Sequence, residues 1–184
     1  MGSGTVVREG VQSKSEIQAT LAQSLGAVAD WIEARPEADF AKGPAGRWTL
    51  GQQLDHLVRS VEPINLGLSM PKFVLGLVFG KANRPSVTYA ELAGRYEGVL
   101  GDGGKASGRF VPPAVALKRR QPLLGLHRRA TKRLIAQVGS FSEEELDRYI
   151  APHPLLGKLT LRELLFFTIH HHDHHLHTLK SDYS

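Results

Sequence analysis

The sequence predicts an all-α protein built as a four-helix bundle. Apolar residues recur at helical spacing in four long stretches, several of those stretches open on a capping signature, and no stretch alternates convincingly with the period of a strand.

The first helix is expected from about Ser15 to Ala34. Ile17, Leu21, Leu25, Val28 and Ile32 share its apolar face, and Pro36 stops it. A loop follows at Lys42-Gly43-Pro44-Ala45-Gly46. Thr49-Leu50-Gly51-Gln52 has the form of a capping box and opens the second helix, with Leu50, Leu54, Leu57, Val58 and Val61 as its stripe. Pro63 is expected to kink or end that helix. Residues 72–80 form a short apolar segment. Thr88-Tyr89-Ala90-Glu91 opens a short helix to about Leu100, and Gly101 to Pro113 reads as a long loop. The third long helix is expected over 114–138, with Pro122 as a candidate break and Gly139 as its terminator. Ser142 to Glu145 caps one or two turns, and Ala151-Pro152-His153-Pro154 reads as a loop. Thr160-Leu161-Arg162-Glu163 opens the last helix, which should run to about Lys180.

Residues 1–12 read as a flexible leader and 13–184 as a single domain, the natural expectation at this length. The chain has no cysteine, so disulfides, thiolate metal sites and a cysteine nucleophile are excluded. Any metal must rest on imidazole nitrogen and carboxylate oxygen. The first residues lack the apolar stretch of a signal peptide, and Phe73 to Phe79 is too short to span a membrane, so a cytoplasmic protein without a membrane partner is expected. The net charge is +5. Lys118, Arg119, Arg120, Arg128, Arg129, Lys132 and Arg133 gather on the third helix, as a solvated face or as a patch for an anionic thiol or nucleic acid. The absence of a helix-turn-helix signature and of interleaved aromatics argues against nucleic acid.

Six histidines lie between His170 and His177 in TLRELLFFTIHHHDHHLHTLK. The run is broken by Asp173 and Leu176 and continues a capped apolar helix in phase, which a purification tag would not do. At about 100° per residue, His171, His172 and His175 fall within about 80° of the centre of the face formed by Leu161, Leu164, Leu165, Thr168, Leu176 and Leu179. His170, His174 and His177 point away and are expected in solvent. His171 and His175, one turn apart, have the i, i+4 spacing that lets one helix give two imidazoles to one ion. Without a metal, each would need a hydrogen-bond partner in the core. A third ligand must come from elsewhere, and the candidates are His56, His127 and His153. Periodicity favours His127, between Leu123, Leu124, Leu134 and Val138. His56 stands nearly opposite Leu54 and Val61, on a thin stripe with Thr49, Gln53 and Ser60.

Trp48-Thr49, Gln52 and His56-Leu57, then His153-Pro154-Leu155-Leu156-Gly157-Lys158-Leu159-Thr160, then His171 and His175, occur in an order and spacing that resemble the DinB-like superfamily. That group includes the bacillithiol- and mycothiol-dependent S-transferases, and the resemblance covers roughly residues 15–180. It implies a four-helix bundle with a long crossover and short extra helices, often as a homodimer. It also implies one divalent metal, zinc or nickel, on His56, His171 and His175, against the preference of periodicity for His127. A metal-dependent thiol S-transferase or hydrolase acting on a small-molecule substrate, with a low-molecular-weight thiol as cofactor, is the activity the resemblance implies. A metal-binding stress-response or sensor module without catalysis is the alternative. Asp55 and Asp173 stand beside the histidines as partners for an imidazole N–H or as solvated acids, and Arg47 and Trp48 could line a pocket or pack.

Overall fold

A computed structural model describes residues 13–184. The leader expected at 1–12 lies outside the described residues. The chain runs α1 (Lys14–Glu33), α2 (Leu50–Leu68), α3 (Lys72–Val78), α4 (Tyr89–Gly101), α5 (Arg120–Gly139), α6 (Glu143–Arg148), β1 (Ile150–His153), β2 (Gly157–Thr160) and α7 (Leu161–Asp182). The four long helices α1, α2, α5 and α7 form the bundle. Each of α1 and α2 packs on both α5 and α7. The connection from α2 to α5 is the long crossover, and it carries α3 and α4, with α4 laid against α7.

The capping boxes at Thr49, Ser142 and Thr160 form as the sequence predicts, and Ser13 adds one with Glu16. At Thr88 only the hydroxyl half forms, accepting from the Glu91 N–H.

Three expectations are corrected. Pro63 does not end α2, which continues to Leu68. A proline inside a helix costs about 3 kcal/mol, through its missing N–H and the clash of its ring with the preceding turn. Burial of Val61, Ile64 and Leu68, and the Asn65 Nδ2–H bond to Ala130 O at 3.0 Å, outweigh it. The third long helix starts at Arg120 rather than 114, after a 3₁₀ turn at Leu117–Arg119. Pro122 therefore sits in its first turn, where a missing N–H breaks no intrahelical bond, and the helix ends at Gly139 as expected. The loop expected at 151–154 is part of a two-stranded antiparallel hairpin, Ile150 opposite Thr160 and His153 opposite Gly157. Four residues per strand are too few for alternation to register. The turn closes because Gly157 takes φ 75° and His153 Nδ1 accepts from the N–H groups of Leu155 and Leu156.

The core falls into two apolar clusters. One holds Ile17, Leu21, Val61, Leu134, Leu165 and Ile169 among others, and the second holds Val28, Ile32, Leu54, Leu57, Leu124 and Leu179. On α5 and α7 the residues between the two sets include His127 and the run from His170 to His175, whereas on α2 His56 lies between Leu54 and Leu57 of the second cluster. No helix among the described residues is long and apolar enough to cross a membrane.

The start of α2, which aims His56, is held by a close approach. A Cβ added at Gly51 would lie 2.9 Å from the Phe40 ring, 3.0 Å from Phe40 O and 3.0 Å from Val115 Cβ. Gly51→Ala should therefore lower stability by about 1–3 kcal/mol, as overpacking does, despite alanine's better helix propensity. Urea unfolding checks this, and a variant as stable as the wild type would show that the contact yields.

Candidate metal centre

Helices α2 and α7 meet at His56, His171 and His175. From the thin stripe of α2, His56 and Gln53 reach α7, while Leu54 and Leu57 join the apolar cluster that holds Val28, Leu124 and Leu179. The structure brings these three side chains together and leaves the other two candidates outside. Their ligand-type nitrogens lie within 4.8 Å of one another. His171 Nε2 is 3.1 Å from His56 Nε2 and 3.0 Å from His175 Nε2.

Tautomers follow from what the outer nitrogens touch. His56 Nδ1–H donates to Phe110 O at 2.7 Å, and His175 Nδ1–H donates to Gln53 Oε1 at 2.5 Å. Both rings therefore present a bare Nε2 to the centre. If His171 carries its proton on Nε2 it can donate to only one of them and leaves the other without a donor, and if it carries it on Nδ1 three lone pairs converge at about 3 Å while Nδ1–H is buried without a partner. Protonation offers no escape. Burial pushes His56 below the ordinary imidazole value, outweighing the Phe110 hydrogen bond and Asp55, and burial with neighbouring histidines holds His171 and His175 well below it. A metal–nitrogen bond of about 2.0–2.1 Å sets neighbouring nitrogens about 3.0–3.4 Å apart on one ion. The donor set and its spacing fit a divalent metal of that kind.

The surroundings are aromatic. Phe167 stacks on His171 with ring centres 5.0 Å apart, Trp48 lies 5.1 Å from His56, and Tyr96 lies 6.1 Å from His171. Trp48 thus packs on a candidate ligand, while Arg47 pairs with Asp182 at 3.4 Å. Asp55 is bound to Arg59. The supports that sequence reading missed are Phe110 O and the acceptor role of Gln53. Phe110 lies in the expected loop, on a 3₁₀ turn at Gly108–Phe110, and a backbone carbonyl leaves no mark in a residue pattern. Gln53 was legible only as a polar residue on the His56 stripe. Of the rest of that stripe, Thr49 caps α2 and Ser60 donates to Leu57 O.

Losing the bond that orients a ligand typically costs 10–100-fold in metal affinity. Gln53→Leu, close in volume, should weaken zinc binding by about that factor while the stoichiometry stays at one. Competition against a chelator measures it, and unchanged affinity would remove Gln53 from the site.

The remaining histidines divide differently from expectation. His127 is 1 % exposed and His172 is fully buried, with Nε2 atoms 3.4 Å apart. The sequence correctly turns His127 inward, but toward His172 rather than the three-histidine centre. His153 spends Nδ1 on the hairpin turn, and its ring lies 4.1 Å from that of Phe167. His170, expected in solvent, is buried against Tyr89 and Tyr96, with Nε2 3.4 Å from Glu97, and His174 is partly buried beside Tyr96. The reason is α4, which covers the face of α7 that a lone helical wheel leaves open. Only His177 of that outward set is exposed.

The basic residues of α5 are partly structural. Buried Arg120 donates to Ile32 O, Glu33 O and Arg35 O, tying the end of α1, and Arg128 pairs with Asp30 and Glu33. Arg129 and Lys132 remain exposed.

No curated protein and no solved structure matches this chain. A family model does match, that of the DinB superfamily, over residues 16–179. The match spans all four bundle helices and the three converging histidines, and the chain belongs to the DinB superfamily.

Proposed function

We propose that this protein binds one divalent ion, zinc or nickel, through His56, His171 and His175. We propose further that it serves as a metal-dependent thiol S-transferase or hydrolase for a small molecule. The observation that carries the reading is the convergence of three neutral imidazoles, two with their outer nitrogens already committed, so that lone pairs meet where a cation would relieve them. Such an ion, bound by three neutral ligands, supplies Lewis acidity and lowers the pKa of a thiol or water that it binds. The chain's own part is to hold the rings: Phe110 O fixes His56, Gln53 fixes His175, and Phe167 seats His171 from its face. Lacking cysteine, the chain has no sulfur nucleophile of its own, which fits a small thiol as cofactor.

A second reading has its own support. His56 and His171 are only 6 % and 4 % exposed, which suits a metal-binding module without catalysis, such as a stress-response or sensor protein. Metal analysis of untagged protein, followed by addition of low-molecular-weight thiols to the nickel-loaded form, separates the two. A thiol-dependent absorption band, and turnover with an electrophilic acceptor, are expected for the transferase. A spectrum indifferent to thiol, together with no turnover, would favour the second reading.

A further inference from the structure

Apolar side chains stand outside the bundle at one place above all. Of the six large apolar residues exposed among the described residues, Leu66, Phe73, Leu77 and Val78 belong to the end of α2 and to α3. Lys72 is the single polar side chain of α3. The inward side of that helix is Leu75, which is buried, and Gly76, where a Cβ would lie 3.4 Å from the Tyr149 ring. Phe73 and Leu77, one turn apart on one face, are 70 % and 80 % exposed. A helix face turned to water is ordinarily polar, and apolar exposure of this kind marks a surface that another apolar phase covers.

Basic side chains border it. Lys81 follows α3 and is exposed. Arg133 of α5 donates to Ser69 Oγ at 2.6 Å, which places its guanidinium at the turn between Leu66 and Phe73. Arg129 stands one turn behind it on α5, also exposed. The acids of the adjoining helices are Glu62 on α2 and Glu143, Glu144 and Glu145 on α6. Two of them are already matched, Glu143 by Arg162 at 2.7 Å and Glu145 by Lys72 at 2.6 Å.

We propose that α3 and the turn before it form a peripheral membrane contact. Phe73, Leu77 and Val78 would enter the apolar edge of a bilayer while Lys81, Arg129 and Arg133 meet anionic headgroups. Charge complementarity selects that occupant. A second copy seated on the same face about a twofold axis would bring these cations among those of its partner. Side chains as exposed as Phe73 and Leu77 project from the surface rather than line a groove, which suits insertion rather than the capture of a peptide. The expectation of no membrane partner rests on the lack of a spanning segment, which a peripheral contact does not need. The proposal does not depend on what the three-histidine centre binds.

Because the chain has no cysteine, one introduced at a chosen position can be labelled alone. Full-length Leu77→Cys and Leu117→Cys, each carrying a polarity-sensitive dye, are mixed with vesicles of phosphatidylcholine, with or without an equal part of phosphatidylserine. Leu117 is exposed too, but beside the opposite end of α5 from Arg133. With phosphatidylserine the protein should pellet with the vesicles, and the dye at position 77 should shift to the blue while that at 117 does not. Phosphatidylcholine alone should bind at least about 10-fold more weakly. Phe73→Ser/Leu77→Ser should lower the affinity about 10-fold or more, and Arg133→Gln roughly fivefold, each melting as the wild type does because these side chains lie outside the core. The proposal is overturned if phosphatidylserine vesicles leave the protein in solution, or if it pellets with the dye at 77 unshifted or with both dyes shifted alike. It is equally overturned if the chain is a dimer that Phe73→Ser/Leu77→Ser dissociates, since a second copy would then cover this face.

Discussion

His171→Ala should lower the affinity for zinc or nickel roughly a thousandfold or more, well beyond the 10–100-fold of a lost supporting hydrogen bond. His171 is the middle of the three, with its Nε2 about equally far from both others, so its loss leaves two imidazoles on different helices. His56→Ala and His175→Ala should each also abolish stoichiometric binding. His127→Ala, His174→Ala and His177→Ala should keep one ion per chain, since none of these rings reaches the cluster. Isothermal titration of untagged protein, with total metal by mass spectrometry, measures all six. The informative comparison is His56 with His127, where helical periodicity and family resemblance disagree. Loss of metal in His127→Ala with full affinity in His56→Ala would overturn the assignment. Equal losses in all six variants would mean that the run chelates without a defined site.

The metal-free protein should lose stability steeply below about pH 6.5. Burial pushes His127 down to about 4, with Arg128 adding to the effect, and burial together with His127 pushes His172 down to about 3. In the unfolded chain both take a proton near 6.5. The folded values are depressed, so the unfolded state binds more protons below that pH. Stability is therefore intact above about 6.5 and falls as pH drops toward 4 and 3. Each unit of pH in that window costs about 1.4 kcal/mol per group. At pH 5 the pair costs about 4 kcal/mol, a large share of the roughly 5–15 kcal/mol that holds a domain. Carboxylates act in a lower window. Burial alone would raise Glu163, but hydrogen bonds from Arg84, Val87 and Thr160 outweigh it and hold the carboxyl below its ordinary 4.5. Its contribution is thus present above about 4.5 and is lost only beneath that. Urea unfolding in chelator between pH 7.5 and 5 isolates the histidines. The His127→Leu/His172→Leu double variant should make the curve shallower by the pair's share, leaving the slope due to the other buried histidines such as His56, His171 and His175, and an unchanged slope would show that the pair is not buried and neutral.

The helices were legible because capping and periodicity are local. Thr49, Ser142 and Thr160 announce helix starts through hydrogen bonds spanning three residues, and the stripe of Ile17, Leu21, Leu25, Val28 and Ile32 needs only the helical pitch. The inward turn of His171 and His172 followed from the same geometry, as did the burial of His127. What failed were inferences about faces and ends whose fate depends on distant chain. His170 is buried because α4, some seventy positions earlier, lies over it, and α2 passes Pro63 because packing around Asn65 outweighs the cost of the proline. His56 illustrates the boundary most sharply. One helical wheel ranks a residue against a single apolar face, whereas a helix in a bundle meets two neighbours and can show leucines to one and a histidine to the other. The sequence by itself determined which long helices form and that His127, His171 and His172 turn inward. Only the tertiary structure decided which of those meet, because the choice between His56 and His127 rests on the relative placement of α2, α5 and α7, which no local interaction encodes.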